Sequence, residues 1–183
     1  MNAPTTNVAP PVVFRQPTRR DGDALHSLIA SCPPLDLNST YAYLLLCEHH
    51  ADTCVIAESD GQIAGAITGY RHPQRPDTLF VWQVAVAPDF RRQAMAARML
   101  EQLFCSGSYR YIETTISPDN APSHNLFRQF AERHAVAMEI SPLFAASDFG
   151  SGNHQAEPLY RLGPWPQISH QISNHPSTGV AAS

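Results

Sequence analysis

The run Leu79-Phe80-Val81-Trp82-Gln83-Val84-Ala85-Val86-Ala87-Pro88-Asp89-Phe90-Arg91-Arg92-Gln93-Ala94-Met95-Ala96 decides the fold. Its apolar first half reads as a strand, Pro88-Asp89 as a turn, and the small residues after two arginines as the opening of a helix. Met95, Met99, Leu100 and Leu103 continue that helix on one apolar face to about Cys105. A strand that feeds straight into a helix start aims unpaired backbone N–H groups past the strand's end, an arrangement that holds phosphate without specific side chains. Arg91 and Arg92 add charge for phosphate oxygens, and Ala94 and Ala96 let a ligand come close to the backbone. An ordinary strand-turn-helix with a solvated arginine pair has the same pattern, so spacing alone leaves both readings open.

Working outward, Val12–Gln16 reads as a strand, and Thr18-x-x-Asp21 caps a helix carrying Leu25, Leu28 and Ile29 on one face. Asn38 or Ser39 caps a second helix to about Cys47. Thr53–Glu58 and Gln62–Tyr70 are strands joined by the hairpin signal Ser59-Asp60-Gly61. Beyond the helix to Cys105, Tyr111–Ile116 is a strand and Ala121–Ala131 a helix with Pro122 in its first turn, followed by strands Val136–Ile140 and Pro158–Leu162. The ends, 1–11 and 164–183, are rich in Pro, Ser, Asn, Thr and Ala and read as disordered tails around one domain, 12–163.

Composition narrows the function classes. In 183 residues, 43% hydrophobic and 15% charged content describe a globular chain with a core, and a net charge of −4 disfavours nucleic acid as a partner. All 12 basic residues are arginine. Cys32, Cys47, Cys54 and Cys105 lack metal-ligand spacing and read as small buried hydrophobes, with no metal implied. The first residues carry neither a basic start nor an apolar stretch, and no run is long enough to span a membrane, so a reducing, cytoplasmic location is expected.

The segment Arg91–Ala96 resembles the acetyl-CoA signature of the GCN5-related N-acetyltransferase (GNAT) family, Arg/Gln-x-x-Gly-x-Gly/Ala after the fourth strand. The element order β-α-α-β-β-β-α-β-α-β-β matches that fold: α/β (α+β), a mixed central sheet of about seven strands flanked by about four helices. The resemblance covers roughly Phe14 to Gly163 and implies acetyl-CoA as co-substrate. It places the cofactor along Val84, Ala85 and Val86 and over Arg91, Arg92, Gln93, Ala94, Met95 and Ala96, with Asn120 and Ser123 flanking the pantetheine. Three departures stand out. Ala94 replaces the family's usual glycine, Val81-Trp82-Gln83 lacks the glutamate often found on that strand, and Phe127 stands where many members have a proton-donating tyrosine.

A sharper resemblance rests on four separated blocks: Cys32–Tyr41, Asp77–Val84, Glu113–Asn120, and Phe149-Gly150-x-Gly152-x-His154-x-x-Glu157-x-Leu159-Tyr160-Arg161. Together they are similar to the diaminobutyrate acetyltransferases of ectoine biosynthesis. That likeness implies L-2,4-diaminobutyrate as acceptor, transfer to its γ-amine, and a homodimer. Such an acceptor needs carboxylates for its amines and donors for its carboxylate. Asp36, Glu157 and Glu113 are candidates for the first role; Tyr41, Trp82 and Thr115 for the second, with His154 at the pocket's polar side and Glu157 as base. Each has a plainer reading: Asp36 as a turn residue, Trp82 as core, His154 as a solvated loop residue, Glu157 in a surface ion pair. Two alternatives stay open, another small-amine or amino-acid acetyltransferase and a non-catalytic acyl-CoA-binding module.

Overall fold

The computed structural model describes residues 11–166 except Arg92, Ser151 and Asn153. Its elements, in chain order, are β1 (Val12–Arg15), α1 (Gly22–Ala30), α2 (Thr40–His49), β2 (Val55–Ser59), β3 (Gln62–Arg71), β4 (Thr78–Val86), α3 (Met95–Ser106), β5 (Tyr111–Thr115), α4 (Ala121–Arg133), β6 (Met138–Phe144) and β7 (Glu157–Leu162). The strands form one sheet in the order β1-β2-β3-β4-β5-β7-β6, antiparallel except for the parallel β4–β5 pair.

Local chemistry sets these boundaries. The Asp21 carboxylate accepts from the Thr18 N–H at 2.7 Å and the Thr18 hydroxyl at 2.9 Å, fixing the entry to α1. Arg15 holds the same carboxylate, and this pairing lowers the Asp21 pKa to about 2. Ser39, not Asn38, caps α2 by accepting from the Ala42 N–H. Asp60 and Gly61 both have positive φ, +52° and +72°, the backbone that a two-residue turn between twisted strands needs.

Strand alternation splits the core into two layers. Ile56, Ala66 and Ala85 pack under Leu25, Leu28, Ile29, Tyr43 and Leu46 of α1 and α2. Val55, Ala57, Ile67, Leu79 and Val81 pack under Met99, Leu100 and Leu103 of α3 and Phe127 and Phe130 of α4. Leu79 and Val81 thus face one layer while Ala85, of the same parity, faces the other. A β-bulge explains the switch: Thr68 pairs with Gln83 and Gly69 with Val81, leaving Trp82 as the extra residue. Gly69 is required opposite the bulge, because a Cβ there would meet the Phe80 carbonyl oxygen at 2.5 Å.

Two expectations change. The ordered chain reaches past Gly163, with the Trp165 ring buried against Phe104 and the Trp165 backbone N–H donating to the Arg110 carbonyl at 2.9 Å. The flanking prolines hid this anchor. Residues 1–10 and 167–183, assigned to the tails, lie outside the described residues. All four cysteines are free; Cys32, Cys47 and Cys54 are buried as expected, but Cys105 is exposed because it falls on the outer side of the last turn of α3.

Candidate active site

Parallel pairing of β4 and β5 covers only Thr78↔Tyr111, Leu79↔Ile112 and Phe80↔Glu113, and it stops just before the Trp82 bulge. Beyond that point β4 continues beside β3 while β5 follows β7. The two strands part, and a cavity of about 1090 Å³ opens between them, at the upper end of small-molecule sites.

The open edge of β4 supplies backbone donors. Ala87 N–H donates to the Ala64 carbonyl, and donors alternate along a strand, so the Val84 and Val86 N–H groups face away from β3, with Val84 lining the opening. Ala85 points its backbone at β3 and its methyl group into the core, which removes it from the set of residues expected to touch the cofactor. Downstream, Ala94 caps α3 and the Arg98 N–H is bonded to the Ala94 carbonyl, so the earlier N–H groups of the helix have no intrahelical partner. Arg91 donates Nε to the Val86 carbonyl at 3.3 Å, tying the turn to the strand end. Gln93 and Ala94 are exposed on this turn and Ala96 partly so, whereas Met95 is 2% exposed and belongs to the core. Arg92 lies outside the described residues.

Ala94 has φ +52° and ψ +23°, left-handed backbone that disfavours a Cβ. The family's glycine at this position is therefore explained by backbone conformation as well as by space. Ala94→Gly should raise the unfolding free energy by about 1 kcal/mol, read as a higher urea midpoint at unchanged slope. An unchanged or lower midpoint contradicts the strain argument.

On the acceptor side, Asp36, Trp82, Thr115, His154 and Glu157 all line the cavity. Thr115 donates its hydroxyl to Glu157 Oε2 at 2.5 Å. His154 Nε2 lies 3.6 Å from Asp36 Oδ2 and 3.7 Å from Glu157 Oε1, while its ring stacks on Phe149 at 3.7 Å between centroids. The hydrogen bond from Nδ1 to the Gln155 carbonyl, with the two carboxylates beside Nε2, holds the imidazole pKa above its ordinary value. Gln155 also reaches Asp119 at 3.3 Å, so the segment leading into β7 lies across the opening. Asn120 and Ser123 line the β5–α4 side, where Asn120 Oδ1 accepts from the Ser123 N–H.

Tyr41 is not brought to the cavity. The residue is 68% exposed, because α2 turns Ala42, Leu45 and Leu46 toward the opening and Tyr43 into the core. The Tyr43 hydroxyl donates to Gln83 Oε1 at 3.2 Å, and Gln83 Nε2 donates to the Asp36 carbonyl at 2.7 Å. Gln83 thus clamps the Asp36 loop at the strand position where a carboxylate was sought. Glu113 faces the cavity but is 1% exposed and held by Arg161 and Arg75. Sequence reading missed the aromatic lining from Tyr70 and Phe144; Phe80 and Phe149 stood in blocks it had marked but were given no role in the site.

Trp82 is 41% exposed, which decides against the core reading. Trp82→Ala should lower kcat/KM for the acceptor roughly 10-fold or more while moving the melting temperature little, since a buried Trp would instead cost ~3–5 kcal/mol. A large drop in melting temperature with normal kinetics contradicts the assignment.

Among the described residues, no three His, Cys, Asp or Glu side chains gather as a metal site, and no helix is long and apolar enough to cross a membrane. The acetyltransferase (GNAT) family model matches residues 22–132, and the chain belongs to that family. It is similar to the L-2,4-diaminobutyric acid acetyltransferase of Bordetella parapertussis, with 47% identity over 162 residues covering 86% of this chain and 87% of that protein. The enzyme of the same name from Streptomyces avermitilis is 45% identical over 160 residues, covering 85% and 88%. Among solved structures, diaminobutyrate acetyltransferase EctA from Paenibacillus lautus, in complex with L-2,4-diaminobutyric acid and coenzyme A, is 43% identical. It superposes with a TM-score of 0.82 over 87% of this chain and 99% of that one.

Proposed function

We propose that this chain transfers the acetyl group of acetyl-CoA to the γ-amine of L-2,4-diaminobutyrate, the acetylation step toward ectoine. The observation that carries the reading is the meeting, in one cavity, of the open β4 edge with the Asp36–His154–Glu157 group. The likeness to the P. lautus enzyme, solved with diaminobutyric acid and coenzyme A, supports the same pair of substrates.

Each step of the reaction falls to a particular part of the cavity. Pantetheine runs along the free Val84 and Val86 edge, and its phosphates meet the start of α3 near Arg91. Glu157 takes a proton from the γ-ammonium, whose pKa of ~10.4 leaves it charged at neutral pH. The freed amine attacks the thioester carbon, and the oxygen that gains charge is held by the Val84 N–H. Collapse of the tetrahedral species breaks the C–S bond as its nitrogen gives a second proton to water, leaving the amide and a thiolate that is protonated from Glu157 or solvent, with one net proton released. Phe127 has no proton to give.

We also place the enzyme in the cytoplasm as a homodimer. Support for the second comes from β6, which pairs only with β7 among the described strands and exposes Ile140, Leu143 and Phe144. A monomer mass in light scattering would remove that part of the reading. The reaction itself is tested by following thioester consumption with diaminobutyrate, ornithine, lysine and polyamines. Diaminobutyrate should give the highest kcat/KM. Preference for another amine would point to a different acceptor, and consumption with none to a binding module.

A further inference from the structure

We propose that Arg75 receives the α-carboxylate of the acceptor and so selects a diamino acid over a plain diamine; this rests on the acetyltransfer reading above. The donors first considered for that carboxylate are largely spent. Tyr41 lies outside the cavity, and the Thr115 hydroxyl is committed to Glu157. Trp82 offers one neutral N–H.

Arg75 sits in the turn between β3 and β4. Its backbone is fixed there, the N–H donating to the His72 carbonyl at 3.1 Å and the carbonyl accepting from Thr78 at 2.9 Å. The side chain lines the cavity and donates Nη2 to Glu113 Oε2 at 2.7 Å. Glu113 also accepts from Arg161, the residue opposite it on β7, whose guanidinium stacks on Tyr111. Two guanidiniums share one carboxylate, so this corner carries a net charge of about +1. Glu113 alone is already neutralised by Arg161, and the second arginine is surplus to it.

The bond from Nη2 to Glu113 uses one of the five N–H donors of Arg75. Its Nε is buried without a hydrogen-bond partner, a state that disfavours the apo site and that an arriving anion relieves. Among the described residues that line the cavity, Arg75 is the only arginine, and the chain has no lysine. The cavity is therefore charged in opposite senses at its two ends: positive where β4 and β5 part at Phe80 and Glu113, negative at Asp36 and Glu157. A short amino acid with a second amine lies along that axis, its carboxylate at Arg75 and its far amine at Glu157. A guanidinium holds a carboxylate through two parallel hydrogen bonds, which fixes orientation as well as affinity.

The test compares L-2,4-diaminobutyrate with its carboxamide, 2,4-diaminobutyramide, which has the same shape without the charge. Wild type should prefer the acid roughly 100-fold in kcat/KM, and Arg75→Gln should reduce that preference to a few-fold by lowering the acid's value alone. The KM for acetyl-CoA and the melting temperature should hold, since Arg161 still neutralises Glu113. Arg75→Lys should recover part of the preference. An unchanged preference in Arg75→Gln, or equal losses with both acceptors, overturns the assignment. Calorimetric titration of the acid separates the two claims: Arg75-dependent binding without transfer would overturn the acetyltransfer reading alone.

Discussion

Glu157→Gln should lower kcat for diaminobutyrate by about 100-fold or more, with little change in melting temperature or in the KM for acetyl-CoA. Glutamine keeps the length of the side chain and an oxygen that can accept the Thr115 hydroxyl, now at 2.5 Å from Glu157 Oε2. What it loses is the negative charge that the proposed base needs to take a proton from an ammonium of pKa ~10.4. The position suits a general base. Glu157 begins β7, lines the cavity, and its side chain is 22% exposed, so it is neither sealed in the core nor bathed in solvent. The plainer alternative was a surface pair with an arginine. Among the described residues, its ion-pair partner is His154 at 3.7 Å instead, itself a cavity residue. Near-normal turnover in Glu157→Gln would return the proton transfer to Asp36 or to water.

Phe127→Ala should destabilise the fold by ~3–5 kcal/mol, the cost of removing a large ring that the surroundings cannot replace. Phe127 is 1% exposed within the layer formed by α3, α4 and the sheet, and it also forms part of the cavity wall near Asn120 and Ser123. For a chain of this size such a loss lowers the melting temperature by on the order of 10 °C. Phe127→Leu, which keeps most of the volume, should cost clearly less. The comparison separates packing from chemistry at a position where relatives in the family often carry a tyrosine. A small stability change in Phe127→Ala, with turnover lost, would mean that the ring acts on the substrates and not on the fold.

Much of the fold was legible because its elements have strong periods. Leu25, Leu28 and Ile29 on α1, and Met95, Met99, Leu100 and Leu103 on α3, mark helix faces, and all are buried. The Asp60-Gly61 turn was equally plain. The Trp82 bulge was not. One extra residue leaves composition and hydropathy untouched, yet it reverses which side chains face which layer and turns Trp82 out of the core.

The site was read unevenly for related reasons. Asp36, His154 and Glu157 lie far apart in the chain and were found through blocks of resemblance; their mutual distances depend on how the segment before β7 crosses the cavity. Tyr41 and Tyr43 differ by two positions, about 200° around a helix, and only the packing of α2 decides which one faces inward. Arg75 lies in the Pro-flanked turn between β3 and β4, and its carboxylate partner belongs to a strand 38 residues away. Charges that meet across a sheet leave no local pattern.

The most direct measurement of the central claim is the structure of the product. Incubated with acetyl-CoA and L-2,4-diaminobutyrate, the protein should form one equivalent of acetylated amino acid per thioester consumed. Proton NMR should then show the acylation shift at the γ-methylene, with the α-proton nearly unmoved. An acyl shift at the α-proton, or thioester consumption without an acetylated amino acid, would contradict the account.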